Sequence, residues 1–355
     1  MKKMLVAMVA VSGLACASAN AQLDRVLAVI ESSTDVVMLL DADTGAPINL
    51  NWINIQADYP GTTNASKTPK GIIQVGNEIW ISDQLRDGVY RYTVDENAPQ
   101  VIGFIGGTGG GMDNVRGLCH LNGKVYVANS GTQNGAPGAA IVVIDVATAT
   151  IEGSFPALDP FDVTPAPNGN LYVTDIAGDN VNEYTTSGTF VRTVHDSDGV
   201  TGVDFPQQIH RRANGNLLVA GFSAPIGVFE YDEVSGSQLN FWAVGNGNRG
   251  VWELGNGLYI YTSSQGVFTL DPATGATQSL IAGGFQYFGI VTFGPPPCGA
   301  DFNGDGFVDF FDLDAFVECF EGGACPDGKT ADFNDDGFID FFDLDAFVEA
   351  FEAGC

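Results

Sequence analysis

Positive charge is scarce in this chain. Its 355 residues hold 14 Lys and Arg against 43 Asp and Glu, a formal net charge of −29 at pH 7. Nucleic-acid phosphates are held by Lys and Arg, so that function class is excluded. Histidine is scarcer still: His120, His195 and His210 are the only three, and no short spacing relates them. They supply no Ser-His-Asp order and read as structural residues. No Gly-rich segment follows a strand and opens a helix as a phosphate loop would. TGGGM at 108–112 reads as a turn between repeats. After the first twenty-two residues no apolar run is long enough to cross a bilayer.

Those first residues, MKKMLVAMVAVSGLACASANAQ, have a basic start, an apolar run and small residues before Gln22. This is the pattern of a secretory signal, with cleavage expected after Ala21. The rival is a lipoprotein signal lipidated at Cys16, but Gly13 stands where such signals carry Leu. Either way the chain is expected outside the cytoplasm, secreted or at the surface of a bacterium.

Cysteine is sparse but clustered. Without the leader, Cys119, Cys298, Cys319, Cys325 and Cys355 remain, four of them in the last 58 residues. In an exported chain four such residues read as two disulfides. The spacing favours Cys298–Cys355 and Cys319–Cys325, with two other connectivities open. Cys119, in the apolar strand GLCHLNG, is expected to be a buried free thiol.

What the chain has in abundance is repetition. KGIIQVGNEIWISD, RGLCHLNGKVYVANS, DVTPAPNGNLYVTD, QIHRRANGNLLVAG and RGVWELGNGLYIYT are each strand, Asn/Gly turn, strand. Trp80, Tyr126, Tyr172 and Leu218 recur every 46 residues, and Tyr259 follows after 41. Two further strands follow each pair, as in GVFTLDPATGATQSLIA. Four short antiparallel strands per unit make the blade of a β-propeller. Five units fill residues 70–283. A sixth is split between FGIVTF (288–293) and residues 25–53, so that joining the two ends closes the ring. The repeat, clearest in NGNLYVTD at 168–175, resembles the NHL and SMP-30-like propellers.

Blade register places Lys70, Arg116, Asp162, Gln208, Arg249 and Phe288 at the entry of successive first strands, around one mouth of the channel. Three cations there would suit an anionic ligand such as an acidic sugar; hydrated polar residues are the plainer reading. Glu31, Asp83, Asn129 and Asp175 end successive second strands. The resemblance to SMP-30-like lactonases, which set Glu, Asn and Asp around a divalent metal, implies a metal centre there. Capping of the following turn is the competing reading, and Gly221 and Thr262 break the set.

The tail is a second kind of repeat. From Cys298 to Cys355 sixteen Asp and Glu face one basic residue, Lys329. DFNGDGFVDFFDLDAFVECF (301–320) returns as DFNDDGFIDFFDLDAFVEAF (332–351) with seventeen of twenty positions identical. Oxygen donors fall at positions one, three, five, seven (backbone), nine and twelve of a loop. In the first copy these are Asp301, Asn303, Asp305, Phe307, Asp309 and Asp312. In the second they are Asp332, Asn334, Asp336, Phe338, Asp340 and Asp343. Gly306 and Gly337 permit the bend at position six. This is the pattern of a calcium loop, so two Ca2+ ions are expected. A helix should follow each loop. Leu313, Phe316, Val317 and Phe320, and then Leu344, Phe347, Val348 and Phe351, form apolar faces that can pack together. Pro and Gly precede both loops, in FGPPPCGA and GGACPDGKTA, so neither has an entering helix.

Two loop-helix units without entering helices resemble the type I dockerin domain. The terminal Gly354-Cys355 is similar to the GC-type dockerin tails. The resemblance implies a calcium-folded module that docks on a cohesin-like or surface-anchoring partner, often beside polysaccharide-degrading machinery. Positions ten and eleven, which select the partner in that family, are Phe310-Phe311 and Phe341-Phe342 here, in place of hydroxyl-bearing residues. The expected organisation is therefore a signal peptide at 1–21, an all-β six-bladed propeller at 22–294 and a small α-helical dockerin-like module at 295–355. The expected function is display of a binding or structural propeller through the tail. The alternative is a hydrolase of glycans or lactones delivered by the same tail.

Overall fold

The computed structural model describes residues 25–60, 67–197, 201–293, 299–304, 308–326, 329–334 and 338–353. The leader with Cys16 and Ala21, both members of the Cys298–Cys355 pair, and the loop residues Asp305, Gly306, Phe307, Asp336 and Gly337 lie outside them.

Six four-stranded antiparallel sheets follow one another around a ring, and each is one blade. The first strands, nearest the channel, are Phe285–Thr292, Pro69–Val75, Val115–Leu121, Pro160–Pro165, Pro206–Arg211 and Val251–Glu253. The second strands are Arg25–Glu31, Glu78–Asp83, Lys124–Asn129, Leu171–Asp175, Leu217–Gly221 and Tyr259–Thr262. The split blade closes as the sequence predicts. Phe285–Thr292 pairs with Arg25–Glu31, placing Val26 opposite Val291 and Ala28 opposite Gly289. Its start, Phe285, lies three residues before the expected one.

Burial falls from channel to rim. Leu171–Asp175 and Leu217–Gly221 are buried along their whole length, because neighbouring blades cover both faces. Gln238–Ala243, an outer strand, is almost wholly exposed. The recurring Trp80, Tyr126, Tyr172, Leu218 and Tyr259 are all buried between blades. Asn122 and Gly123, with φ of 50° and 70°, form the two-residue hairpin linking Val115–Leu121 to Lys124–Asn129. Both φ values are positive, as a type I′ turn requires. A short helix, α1 (Ile55–Asp58), follows the first blade; its four residues are too few to show a period.

Two devices that the sequence reading did not anticipate hold the first strands together. One is glycine. Gly71, Gly117, Gly250 and Gly289 directly follow Lys70, Arg116, Arg249 and Phe288. A Cβ on Gly117 would stand 1.8 Å from Asp162 Oδ1 and 2.8 Å from Asp162 Cα. On Gly289 it would stand 2.2 Å from the Ile72 carbonyl oxygen. Adjacent blades meet there backbone to backbone. The other device is a hydroxyl near the end of alternate second strands. Thr174 Oγ1 accepts from Asp162 N at 2.8 Å and donates to the Gln207 carbonyl of the next blade at 3.0 Å. Thr262 does the same between Gly250 N (2.7 Å) and the Gln286 carbonyl (2.6 Å). Ser82 bridges Gly71 N and the Arg116 carbonyl.

The tail holds two helices, α2 (Phe310–Phe320) and α3 (Phe341–Ala353). Phe316 and Phe347 are fully buried and stack at 4.2 Å with an interplanar angle of 2°. Phe302 meets Phe316 at 5.2 Å and Phe347 at 5.9 Å; its counterpart Phe333 meets Phe347 at 5.3 Å and Phe316 at 5.9 Å. Each contact thus has a partner with the copies exchanged, the signature of a local two-fold relation. The expected helix faces are corrected in part. Val317 is half-buried and Val348 exposed, and their places in the core are taken by Phe302, Cys319 and Ala331. The Cys319–Cys325 disulfide is formed, and Cys119 is a buried free thiol.

Candidate functional site

The loop carboxylates of the tail act on the starts of the helices. Asp309 Oδ1 accepts from Phe311 N at 2.8 Å, and Asp312 Oδ2 accepts from Asp309 N at 2.9 Å, forming a capping box. Asp340 Oδ1 with Phe342 N (2.8 Å) and Asp343 Oδ2 with Asp340 N (2.8 Å) repeat it. Asp312 Oδ1 also reaches back to Asn303 N at 3.0 Å, and Asp343 Oδ1 to Phe333 N (2.7 Å) and Asn334 N (3.1 Å). The loop ends are therefore folded back on their own beginnings. Asp301 Oδ1 accepts from Gly304 N at 2.9 Å. Asp312 and Asp343 are fully buried. Burial pushes the Asp343 carboxyl up, but N–H donors from Asp340, Asn334 and Phe333 outweigh it and hold the group below the ordinary aspartate value. Among the described residues no three His, Cys, Asp or Glu side chains stand together as a metal cluster. The D-x-x-D capping signature was present in the sequence at 309–312 and 340–343.

Phe310, Phe311, Phe341 and Phe342 are 70–76% exposed, so they are not core residues. Phe310 lies 6.3 Å from Phe351, and Phe341 lies 6.3 Å from Phe320, again in exchanged copies.

In the propeller, Glu31, Asp83, Asn129 and Asp175 share one structural task. Each accepts from the backbone N–H just before the first strand of its own blade. The bonds are Glu31 Oε1 to Gly284 N (3.0 Å), Asp83 Oδ1 to Thr68 N (2.8 Å), Asn129 Oδ1 to Asp113 N (2.8 Å) and Asp175 Oδ1 to Asp159 N (3.1 Å). Glu31, Asp83 and Asp175 also accept from N–H groups of the turn that follows. The capping reading therefore accounts for Glu31, Asp83 and Asp175, whereas Asn129 donates its Nδ2 to the Gly131 and Gly138 carbonyls.

The channel-mouth set divides in two. Asp162 and Gln208 join blades across the channel. Asp162 Oδ2 accepts from Ile209 N at 3.0 Å. Gln208 Oε1 accepts from Val251 N and Phe288 N, both at 3.1 Å, and its Nε2 donates to the Phe288 carbonyl at 2.7 Å. Burial pushes Asp162 up to about 8. Both residues also line a cavity of about 280 Å³ with Cys119, His120 and Trp252.

Lys70, Arg116 and Arg249 form the other part. Lys70 Nζ donates to Gln286 Oε1 at 3.0 Å and lies 5.0 Å over the Phe161 ring. The Arg116 guanidinium lies over the same ring at 4.4 Å and pairs with Asp159 at 2.9 Å. Arg249 lies over Phe222 at 5.8 Å and makes one long bond, 3.5 Å, to the Phe285 carbonyl. Burial, then the charges of Arg249 and Arg116, bring Lys70 down to about 7.

None of the histidines takes part in this cluster. His195 Nδ1 lies 2.9 Å from the Gly236 carbonyl with its ring over Tyr231, and His210 lies against Trp252 at 3.9 Å with the rings tilted by 33°. Burial, reinforced by the charges of Arg212 and Arg25, pushes His210 down to about 3. Below pH 6.5 the unfolded chain takes up this proton and the folded chain does not, so stability falls with pH through that window. The loss expected from this residue at pH 5 is about 2 kcal/mol. Thermal melts between pH 7 and 4 should therefore fall less steeply for His210→Gln than for the parent; parallel curves would remove His210 as the cause.

No family model matches this chain, and no curated protein matches it. Solved structures do. A chain of a nidogen–laminin complex aligns over 75% of this chain and 98% of its own length, at 14% identity and a TM-score of 0.58. A Bacteroides caccae protein of unknown function aligns over 76% and 99%, at 15% identity and a TM-score of 0.53. These likenesses establish the fold: the chain carries a six-bladed β-propeller. Among the described residues no helix is long and apolar enough to cross a membrane.

Proposed function

We propose that this chain is an exported binding or structural protein whose propeller is held in a surface or extracellular assembly by a calcium-dependent, dockerin-like tail. The assembly is one concerned with polysaccharide degradation. The observation that carries the reading is the pair of buried aspartates, Asp312 and Asp343. Each is fully buried at the start of a helix and folded back on its own loop, with backbone N–H groups as its partners. The single basic residue of the tail, Lys329, donates to the Asp301 carbonyl instead. Neither aspartate has a counter-cation among the described residues, and the other loop acids add like charge beside them, so a bound cation would relieve the repulsion. The donor set is all oxygen, which suits a hard divalent cation. Asp301, Asn303, Asp305, the Phe307 carbonyl, Asp309 and Asp312 would hold one ion. Asp332, Asn334, Asp336, the Phe338 carbonyl, Asp340 and Asp343 would hold the second. Bound calcium would neutralise the loops and fix the helices.

The exposed pairs Phe310-Phe311 and Phe341-Phe342 give the partner a surface. Apolar side chains exposed this far at equivalent places in both copies are costly to leave in water. A cohesin-like or surface-anchoring protein is the occupant this reading requires. The hydrolase reading has less to stand on, because Gly221 and Thr262 stand where the ring begun by Glu31, Asp83, Asn129 and Asp175 would need two more donors.

The test uses the full chain. Two calcium ions per chain are expected by titration calorimetry, and none after Asp301→Ala with Asp332→Ala. Chelation should speed tryptic cleavage after Lys329 while leaving the melting of the propeller unchanged. Absence of bound calcium, with equal cleavage in calcium and chelator, would defeat the reading.

A further inference from the structure

We propose that the mouth formed by Lys70, Arg116 and Arg249 is a binding site for an oxyanion group, a carboxylate, sulfate or phosphate borne by a small ligand. The proposal is independent of the tail.

The charge balance is the first argument. A chain of net charge −29 has few cations to place, yet three stand close enough here for Arg249 and Arg116 to depress the protonation of Lys70. Among the described residues, Asp159 is the only carboxylate in ion-pair contact with any of the three. Lys70 and Arg116 are each 6% exposed, so water screens their repulsion poorly. Asp162, the other acid nearby, is buried and pushed up to about 8, which leaves it mostly protonated at neutral pH. Lys70, brought down to about 7, is about half-protonated at neutral pH, so with Arg116, Arg249 and Asp159 the site is about one to two positive charges in excess.

The second argument is unmet hydrogen bonding. Arg116 Nε and the Tyr287 hydroxyl are both buried without a partner. Tyr287 is 1% exposed and lies with its ring 5.9 Å from Lys70 Nζ; burial and then Asp162 push its hydroxyl up, against the smaller opposing effect of the two arginines. A buried donor without an acceptor is destabilising. An oxyanion supplies acceptors and negative charge together, which is what both observations lack. Arg249 is half-buried, with one 3.5 Å bond, and forms the accessible lip. Phe161 and Phe222 lie against the Arg116 and Arg249 guanidinium groups.

Such a cluster works against folding until it is filled, which gives a test with two readouts. Melting and calorimetry of the full chain would be run with acetate, glucuronate, sulfate and phosphate at ionic strength matched by chloride. At least one anion should raise the melting temperature and bind measurably. The ranking tells a bare carboxylate from one on a sugar and from a tetrahedral oxyanion. Arg249→Gln should weaken that anion at least tenfold while leaving the ligand-free melting temperature within about two degrees. Lys70→Met should weaken it likewise and raise the ligand-free melting temperature. Lys124→Gln, whose cation lies in an ion pair elsewhere, should change neither. The proposal falls if no anion exceeds chloride. It also falls if the rise in melting temperature is as large in Arg249→Gln as in the parent, since that is general salt exclusion.

Discussion

Gly117→Ala is expected to destabilise the propeller by about 3 kcal/mol, the upper part of the range for overpacking a close contact. The added methyl would lie 1.8 Å from Asp162 Oδ1 and 2.8 Å from Asp162 Cα. A side chain alone can rotate away, but a backbone atom cannot. The Asp162 carboxyl is moreover held by Ile209 N. Relief requires two blades to separate along the channel, where a third blade is already bonded to them. For a domain of this size the melting temperature should fall by roughly 6–12 °C. Gly153→Ala is the control. Gly153 lies exposed on an outer strand, with nothing within 4 Å of its added methyl. It should melt within about one degree of the parent. Equal effects from the two would show that the channel contact is not tight.

Phe347→Ala should unfold the tail. Phe347 is fully buried and touches Phe302, Phe316, Phe333 and Phe351. Truncating such a ring costs about 3–5 kcal/mol. A module of fewer than about 70 residues rarely has more than that to lose. Phe316→Ala should match it, because the two rings occupy equivalent places. The readout is trypsin: Lys329 is the only basic residue after Cys298, so cleavage there reports on the tail alone. Cleavage after Lys329 should accelerate by more than tenfold in either variant, with the propeller melt unchanged. A tail that stays resistant would mean the stacked pair is not its core.

The fold was legible because hairpin turns and aromatic positions repeat. A spacing of 46 residues through Trp80, Tyr126, Tyr172 and Leu218 fixes blade register without any knowledge of contacts. The closing strand was legible from FGIVTF alone. Adhesion between blades was not. Gly117 and Gly289 look like ordinary glycines until the neighbouring backbone is seen, and the bridging hydroxyls of Ser82, Thr174 and Thr262 share no single residue type. The mouth was half legible. Register placed six residues at one level but not their partners: Asp162 and Gln208 accept from backbone N–H groups of later blades, whereas the cations reach Gln286, Asp159 and the Pro160 and Phe285 carbonyls. Tyr287 was missed because it lies in the split blade, where the repeat pattern is weakest. In the tail, loop spacing and helix faces were readable. The insertion of Phe302 and Phe333 between the helices was not, since position two of a loop carries no helical period.

The ring closes between residues far apart in the chain. Arg25 pairs with Thr292, a separation of 292 − 25 = 267 residues. Bringing such ends together carries a loop-closure entropy of roughly 5 kcal/mol, so this pairing is placed late in folding, after shorter contacts have formed. Among the described residues Arg25–Glu31 is the first strand to be synthesised, and all but Arg25 are buried in the finished protein. At roughly 5–20 residues per second, its partner strand is made about 15–50 s later. For that interval a strand destined for burial has a free edge, and that edge is where a chain delayed in synthesis is most exposed to pairing with a second copy of itself.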